Sequence, residues 1–394
     1  MSAMKRLFQL MAEKNASDIF LSVGAPINIK INGVAVPVNQ TVLNADAVRQ
    51  LIYEVLSEKQ IREYEDEMEL NTGFTFEGVG SFRISAFRQK GSPAVVVRYI
   101  PGNIPPLDTL GLPDALKDII MEKRGLILMV GATGSGKSTT LAAMLDFRNA
   151  QKSGHILTLE DPVEFVFRNR KSIVNQREVG TDTKVFQTAL KNALRQAPDC
   201  ILIGEIRDRE TMTSALQYAQ SGHLCLATLH ANNSYHCMNR IISFYPLENR
   251  PTLLLDLSAS LQSIIAQRLV RTKTGARRAA VEVMLNSRLI AELIGKGEIS
   301  EIKDAMEKSM SPGSQTFEQD LFRLFSEGVI TKDEAMANAD SATNMLWLIN
   351  QATAGQLTSN AATAAAPARK EESKESVFSA TAGGDTSFDE IKIS

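Results

Sequence analysis

The run Gly131-Ala132-Thr133-Gly134-Ser135-Gly136-Lys137-Ser138-Thr139 meets every positional requirement of a phosphate-binding loop. Its glycines let the backbone turn with amides facing inward, so that N–H groups and the positive end of the following helix hold phosphate oxygens. Lys137 then reaches the β and γ phosphates, and the Ser138 hydroxyl serves the accompanying magnesium ion. The chemistry expected of residues 131–139 is binding of a nucleoside triphosphate, ATP with Mg2+.

Three further stretches carry groups that act on such a ligand. In His155-Ile156-Leu157-Thr158-Leu159-Glu160-Asp161-Pro162-Val163-Glu164 an apolar run ends in carboxylates. A carboxylate beside bound ATP accepts a proton from the attacking water or orients it. Glu160 lies nearest the end of the run and is the first candidate, with Glu164 in reserve; a turn-shaping Asp161 flanked by solvated glutamates fits this stretch equally. In Asp199-Cys200-Ile201-Leu202-Ile203-Gly204-Glu205 the glycine separates the apolar run from Glu205. Gly204 permits close approach of backbone and ligand, and Glu205 is placed to hold Mg2+ through water. His223 and His230 bracket a third run. Their odd separation sends them to opposite faces of a strand, which disfavours a shared metal and leaves His230 at the carboxyl end to meet a phosphate or its attacking water.

To hold these groups, residues 126–130 are expected to form a buried strand into the loop and residues 139–145 a helix out of it. Strands are expected at 126–130, 155–160, 200–204 and 224–229, alternating with helices, the pattern of a doubly wound parallel sheet. Ligands bind outside the carboxyl ends of such strands, so all four ends should converge on one crevice.

Before this lies a different pattern: a helix at 4–14, alternating strands at 27–31 and from Val34 to Val38 around an Asn32-Gly33 turn, helices at 47–56 and 61–68, and strands at 73–76, 81–87 and 94–100. It reads as an α+β domain of residues 1–100. Residues 101–106, rich in proline, form a stiff hinge linker. The second domain spans 107–354 and ends in helices: a striped one at 252–269 carrying Leu257, Leu261, Ile264 and Ile265, then 318–325 and 332–338, with Trp347, Leu348 and Ile349 closing the region. Residues 355–394 are Ala-, Thr- and Ser-rich and read as a disordered tail in which Phe378, Phe388, Ile391 and Ile393 are isolated hydrophobes.

With 44% hydrophobic and 22% charged residues and a net charge of −2, the chain has the composition of an ordinary globular protein and no overall electrostatic footprint for nucleic acid. Cys200, Cys225 and Cys237 are too few and wrongly spaced for a disulfide framework or a four-cysteine zinc site, and read as reduced, packed thiols of a cytosolic protein. No apolar run is long enough to span a bilayer.

Taken together, these stretches resemble the secretion-type ATPases that power type IV pili and type II secretion. Residues 131–139 are similar to that family's Walker A loop, 158–164 to its Asp box, the run ending Gly204-Glu205-Ile206-Arg207-Asp208 to its Walker B strand and 221–230 to its His box. Ala16-Ser17-Asp18-Ile19-Phe20-Leu21 resembles the family's first strand, with Phe20 in place of a common histidine, and the likeness extends to about residue 350. The resemblance implies a RecA-like P-loop ATPase domain behind a small PAS-like α+β domain, assembled as a homohexamer with ATP between the two domains. It further implies Glu160 as general base, Glu205 on magnesium and His230 sensing the γ phosphate. A ring motor needs positive charge from across a domain or subunit interface. Arg83, Arg88 and Arg98 fall on N-domain strands, and the resemblance favours Arg83 and Arg98.

Extension and secretion motors of this family carry an extra N-terminal domain and a four-cysteine zinc element. Their expected absence here makes the chain resemble the twitching-motility retraction ATPases, and among them the accessory kind. Where retraction motors have Ala-Ile-Arg-Asn-Leu-Ile-Arg-Glu, this chain has Leu289-Ile290-Ala291-Glu292-Leu293-Ile294-Gly295-Lys296, without either arginine, which weighs against independent retraction. The implied partners are a PilT-like retraction ATPase and an inner-membrane pilus platform protein, with no nucleic acid, at the cytoplasmic face of the inner membrane.

Overall fold

Apolar alternation builds the first sheet. In the computed structural model, which describes residues 2–351 apart from 32, 77, 101, 102, 309 and 310, it comprises β1 (Asp18–Ser22), β2 (Pro26–Ile31), β3 (Val34–Val42), β4 (Glu69–Phe76), β5 (Gly80–Gln89) and β6 (Ser92–Ile100). The six strands run in the order β3-β2-β1-β6-β5-β4, and every pairing is antiparallel. Ile19 and Leu21, Ile27 and Ile29, and Phe82 and Ile84 point to one side, as the two-residue period of a strand requires. There they meet Met4, Leu7, Phe8 and Met11 of the helix Ala3–Lys14 in a single core. Phe8 stacks on Phe82 with ring centroids 4.0 Å apart; burying a side chain of this size stabilises the fold by about 2–3 kcal/mol. The helix Glu58–Glu67 starts at a reciprocal cap between Ser57 and Gln60, which satisfies N–H groups that a helix start leaves unpaired.

A second sheet contains β7 (Gly125–Val130), β8 (Gly154–Glu160), β9 (Ser172–Glu178), β10 (Cys200–Ile203), β11 (Leu224–Leu229), β12 (Leu261–Arg271) and β13 (Arg277–Leu285). Its order is β13-β12-β7-β11-β10-β8-β9. Pairing is parallel throughout except between β12 and β13. All residues of β7 and β10 are buried, as expected of strands covered on both faces. The parallel registers bring the carboxyl ends of β7, β8, β10 and β11 to one edge, the convergence expected from the sequence.

The expected helix over 252–269 is corrected. A helix runs only from Arg250 to Ser260, and Leu261, Ile264 and Ile265 belong to β12, wedged between β7 and β13. A strand buried on both faces is apolar at consecutive positions, and a short stretch of it also satisfies helical spacing. No strand was expected at β13 or at β9, an edge strand whose only apolar residues are Ile173 and Val174.

C-terminal helices occur at Phe317–Ser326, capped reciprocally by Thr316 and Gln319, and at Lys332–Asn338. Trp347, Leu348 and Ile349 belong to a second unit that begins at Leu346. The tail expected at 355–394, with Phe378, Phe388, Ile391 and Ile393, lies outside the described residues, as do Asn32 of the expected turn and Pro101 and Gly102 of the expected linker. Cys200, Cys225 and Cys237 are buried and unpaired with one another, and burial pushes the Cys200 thiol up to about 12. Among the described residues no helix is long and apolar enough to cross a membrane.

Candidate functional site

Strand β7 ends at Val130, and the chain turns through the glycine-rich run into the helix Lys137–Gln151. Gly136 is the N-cap of that helix, at φ +87°, and a Cβ there would stand 2.8 Å from Gln267 Nε2. Both the backbone hand and the close neighbour therefore require glycine. Gln267, on β12, is the buttress of the loop: its Nε2 donates to Ser135 O at 2.8 Å and its Oε1 accepts from Thr140 Oγ1 at 2.8 Å. This residue escaped the sequence reading because its strand was taken for a helix.

A cavity of about 540 Å³ opens at the strand ends. From the loop, Thr133, Gly134, Lys137 and Ser138 line it; Glu160 and Glu164 come from the exit of β8, Glu205 from the exit of β10 and His230 from the exit of β11. Ala132 and Ser135 instead face a second hollow of about 380 Å³ on the other side of the loop, together with Asn232, Gln267 and Arg277. Gly131, Gly136 and Thr139 line neither hollow. Lys137 Nζ donates to Gly131 O at 2.8 Å and to Ala132 O at 2.9 Å, closing the loop on itself. Burial pushes the Lys137 ammonium below its usual pKa, against the opposing pull of Glu164 and Glu205.

Glu160 closes β8 and is buried, 9% exposed. Its Oε1 accepts from Thr158 Oγ1 at 2.6 Å and from Gln176 Nε2 at 3.1 Å. Burial raises its pKa; the Thr158 and Gln176 hydrogen bonds and one from the Glu164 backbone oppose that, while the Glu164 charge adds to it. Glu205 follows Gly204, where a Cβ would lie 3.0 Å from Leu159 O and 3.2 Å from Glu160 Cα. Glycine at 204 thus lets the exits of β10 and β8 touch. Glu205 Oε2 accepts from Arg207 Nε at 2.6 Å, and Oε1 lies 3.1 Å from His230 Nε2. Arg207 also approaches Asp161, with Nη1 and Oδ2 3.7 Å apart, and its pKa is raised, chiefly by the hydrogen bond to Glu205. His223, at the far end of β11, turns its Nδ1 to Ser221 at 3.0 Å and takes no part in this cavity.

Arg83 and Arg98 are directly opposed in the β5–β6 register, and neither lines the cavity within this chain. Arg98 Nε donates to the buried Asp18 carboxylate at 3.0 Å. Arg88 pairs with Glu65 and lies over the Tyr64 ring, 5.0 Å from its centroid. Arg207, Thr158 and Gln176 join the site without having been given roles from sequence. Thr158 had a legible signal, since two-residue spacing places it on the Glu160 face of β8, whereas Gln176 reaches Glu160 only through the pairing of β8 with β9.

Lysine at a phosphate loop, a buried carboxylate, and a carboxylate bridged to histidine and arginine suit phosphoryl transfer to water, which depends on positioning and charge stabilisation. Among the described residues no group of three or more His, Cys, Asp and Glu could hold a metal by itself. The donors fit magnesium, which keeps several waters and takes one or two protein ligands beside substrate phosphates.

Residues 2–321 match the family described as Type II/IV secretion system protein. The chain is 47% identical over 346 residues to the type IV pilus ATPase PilU of Pseudomonas aeruginosa, covering 88% of this chain and 91% of that protein. It is 40% identical over 333 residues to the type IV pilus retraction ATPase PilT of the same organism, covering 84% and 97%. A crystal structure of the pilus retraction motor PilT with bound ADP superposes with a TM-score of 0.81 at 40% identity, covering 87% of this chain and 98% of that one. The resemblance drawn from the loop, the two acidic runs and the histidine run is borne out, and the chain belongs to the Type II/IV secretion system protein family.

Proposed function

We propose that this chain is the ATP-hydrolysing subunit of a type IV pilus motor, a homohexamer that powers or assists pilus retraction in twitching motility. The observation that carries the reading is the convergence of Lys137, Ser138, Glu160, Glu205 and His230 on one cavity. Lys137 binds the β and γ phosphates, Glu160 takes the proton of the attacking water, and His230 reads the γ phosphate. Ser138 and Glu205 would hold magnesium, which when bound neutralises charge on the phosphates. Arg83 and Arg98 supply positive charge from the first domain, residues 1–100, which moves against the second, residues 107–354, about the linker 101–106. The pilus ATPases named above support a cytoplasmic location; its place at the periphery of the inner membrane, with a PilT-like retraction ATPase and the pilus platform protein as partners, is part of the same proposal.

A second reading has the chain as an ATP-binding accessory that modulates a PilT-like motor with little force of its own. It is favoured by residues 289–296, within the helix Arg288–Lys296, which carry neither of the two arginines expected of retraction motors in this segment. Steady-state hydrolysis by the purified full chain tests the first reading: turnover that Glu205→Ala lowers by about 10- to 100-fold supports an active enzyme, whereas nucleotide binding without turnover selects the accessory. Deletion strains with and without a PilT-like motor, scored for surface motility and complemented with Glu205→Ala, then assign the retraction role.

A further inference from the structure

Strand β9 does more than border the sheet. Gln176 lies directly beside Thr158 in the β8–β9 register. Its Oε1 accepts from Phe167 N at 2.8 Å, and its Nε2 donates to Phe165 O at 2.7 Å and to Glu160 Oε1 at 3.1 Å. A backbone N–H can only donate and a carbonyl can only accept, so just one orientation of the amide satisfies both Phe167 and Phe165. That orientation presents N–H to the carboxylate; the flipped amide would oppose donor to donor and acceptor to acceptor. Two residues along the same face of β9, Glu178 Oε2 accepts from Val163 N at 2.9 Å. One face of an edge strand therefore grips the segment 163–167 at three backbone positions and holds Glu160 at a fourth point.

We propose that Gln176 is a positioning residue for Glu160: its amide, oriented by Phe165 and Phe167, fixes one oxygen of the carboxylate and leaves the other to the reacting water. The inference rests on the reading of Glu160 as the general base. Thr158 donates to the same Oε1 at 2.6 Å, so both side-chain donors converge on one oxygen and Oε2 receives none from a side chain. Such asymmetry suits a base, because the oxygen that no side chain holds is the one open to a proton from the cavity. Both donors also stabilise the ionised carboxylate against the burial that raises its pKa. The charged groups that share its cavity are Glu164 from the following loop, Lys137 from the phosphate loop, Glu205 and Arg207 from the exit of β10, and His230 from that of β11. Asp161 is drawn towards Arg207, and Asp208 is turned into the start of its own helix, accepting from Thr211 N at 2.8 Å. Among the described residues Gln176 is the one side-chain amide hydrogen-bonded to Glu160.

The test measures kcat of the full chain against pH for wild type, Gln176→Leu and Gln176→Glu, with ADP affinity followed in parallel. Gln176→Leu is expected to lower kcat about tenfold and to move the acid limb of the profile up by about one pH unit, the worth of one hydrogen bond to a charged group. ADP affinity should stay within about twofold, because Gln176 touches the base and not the phosphate loop. Gln176→Glu sets a second carboxylate against Glu160 and should move the limb further in the same direction. Unchanged kcat overturns the proposal, and so does reduced kcat with an unmoved acid limb. Should the leucine variant fail to fold, the near-isosteric glutamate variant decides by the same readouts. Glu160→Gln separates the two claims. If it retains turnover, the base reading falls; if it is inactive while the Gln176 variants behave as wild type, only the positioning role falls.

Discussion

His230 Nε2 lies 3.1 Å from Glu205 Oε1, joining the carboxyl ends of β11 and β10 by a polar contact across the parallel sheet. The other Glu205 oxygen accepts from Arg207. The carboxylate proposed to serve magnesium is thus held between two nitrogen groups. Glu205→Ala should lower turnover by about 10- to 100-fold, the usual cost of removing a group that acts on a metal through water. Calorimetric titration with ADP, with and without magnesium, checks this: the variant should keep metal-free binding and lose the increment that magnesium adds.

Gln267 predicts a stability effect at a residue that touches no substrate. Gln267→Leu leaves Ser135 O and Thr140 Oγ1 without their buried partner, at a cost of about 1–3 kcal/mol. A lower thermal midpoint is expected, together with weaker ADP binding, since the loop that cradles phosphate loses its support. Equal midpoints by calorimetry would contradict the buttress.

Gly204→Ala puts a methyl group 3.0 Å from Leu159 O, where only backbone can give way. Forcing the exits of β10 and β8 apart should cost about 1–3 kcal/mol of stability. Because Glu160 Cα is 3.2 Å from the same point, turnover should fall further than the stability loss accounts for. Hydrolysis rates measured well below the melting transition separate the two effects.

Arg98 has two roles to tell apart. Its guanidinium pairs with the buried Asp18, whose remaining side-chain partner is Ser17 Oγ at 2.8 Å. Arg98→Ala should cost about 1 kcal/mol, a modest figure because the arginine is largely exposed. Asp18→Asn should reproduce that loss. Only Arg98→Ala should also lower turnover while leaving nucleotide binding intact; matching turnover in the two variants would assign Arg98 to structure alone.

Burial holds Glu160 above the ordinary carboxylate pKa of 4.5, which gives a pH dependence of definite sign. A raised folded-state pKa means that the fold binds this proton more tightly than the unfolded chain does. The associated stability is complete below the unfolded value and is lost as pH rises through the folded one. Glu160→Gln, which cannot ionise, should therefore gain on wild type with rising pH when urea midpoints are compared. Turnover runs the other way, because a base must be deprotonated, and should fall on acidification at a pH above the ordinary carboxylate range.

The phosphate loop was legible residue by residue because it is local: nine consecutive positions specify its turn, its cation and its hydroxyl, and the apolar run and helix around them need no distant partner. Glu160, Glu205 and His230 were legible for a related reason, since each follows an apolar run and parallel strands deliver their carboxyl ends to one edge. What the sequence could not decide was which buried segments are strands, and with that which side chains meet across the sheet. Residues 261–267 are buried at nearly consecutive positions because they are covered on both sides, and such coverage erases the alternation that distinguishes strand from helix. Gln267 was hidden by that loss, and Gln176 by the mostly polar, partly exposed sequence of its edge strand β9. Each is an uncharged amide in an unremarkable local context, set against Ser135 and Glu160 by strand pairing alone, at sequence separations of 132 and 16. Local spacing determined the chemistry of this protein; tertiary pairing decided what holds that chemistry in place, because a hydrogen bond between distant segments exists only once the sheet has set their register.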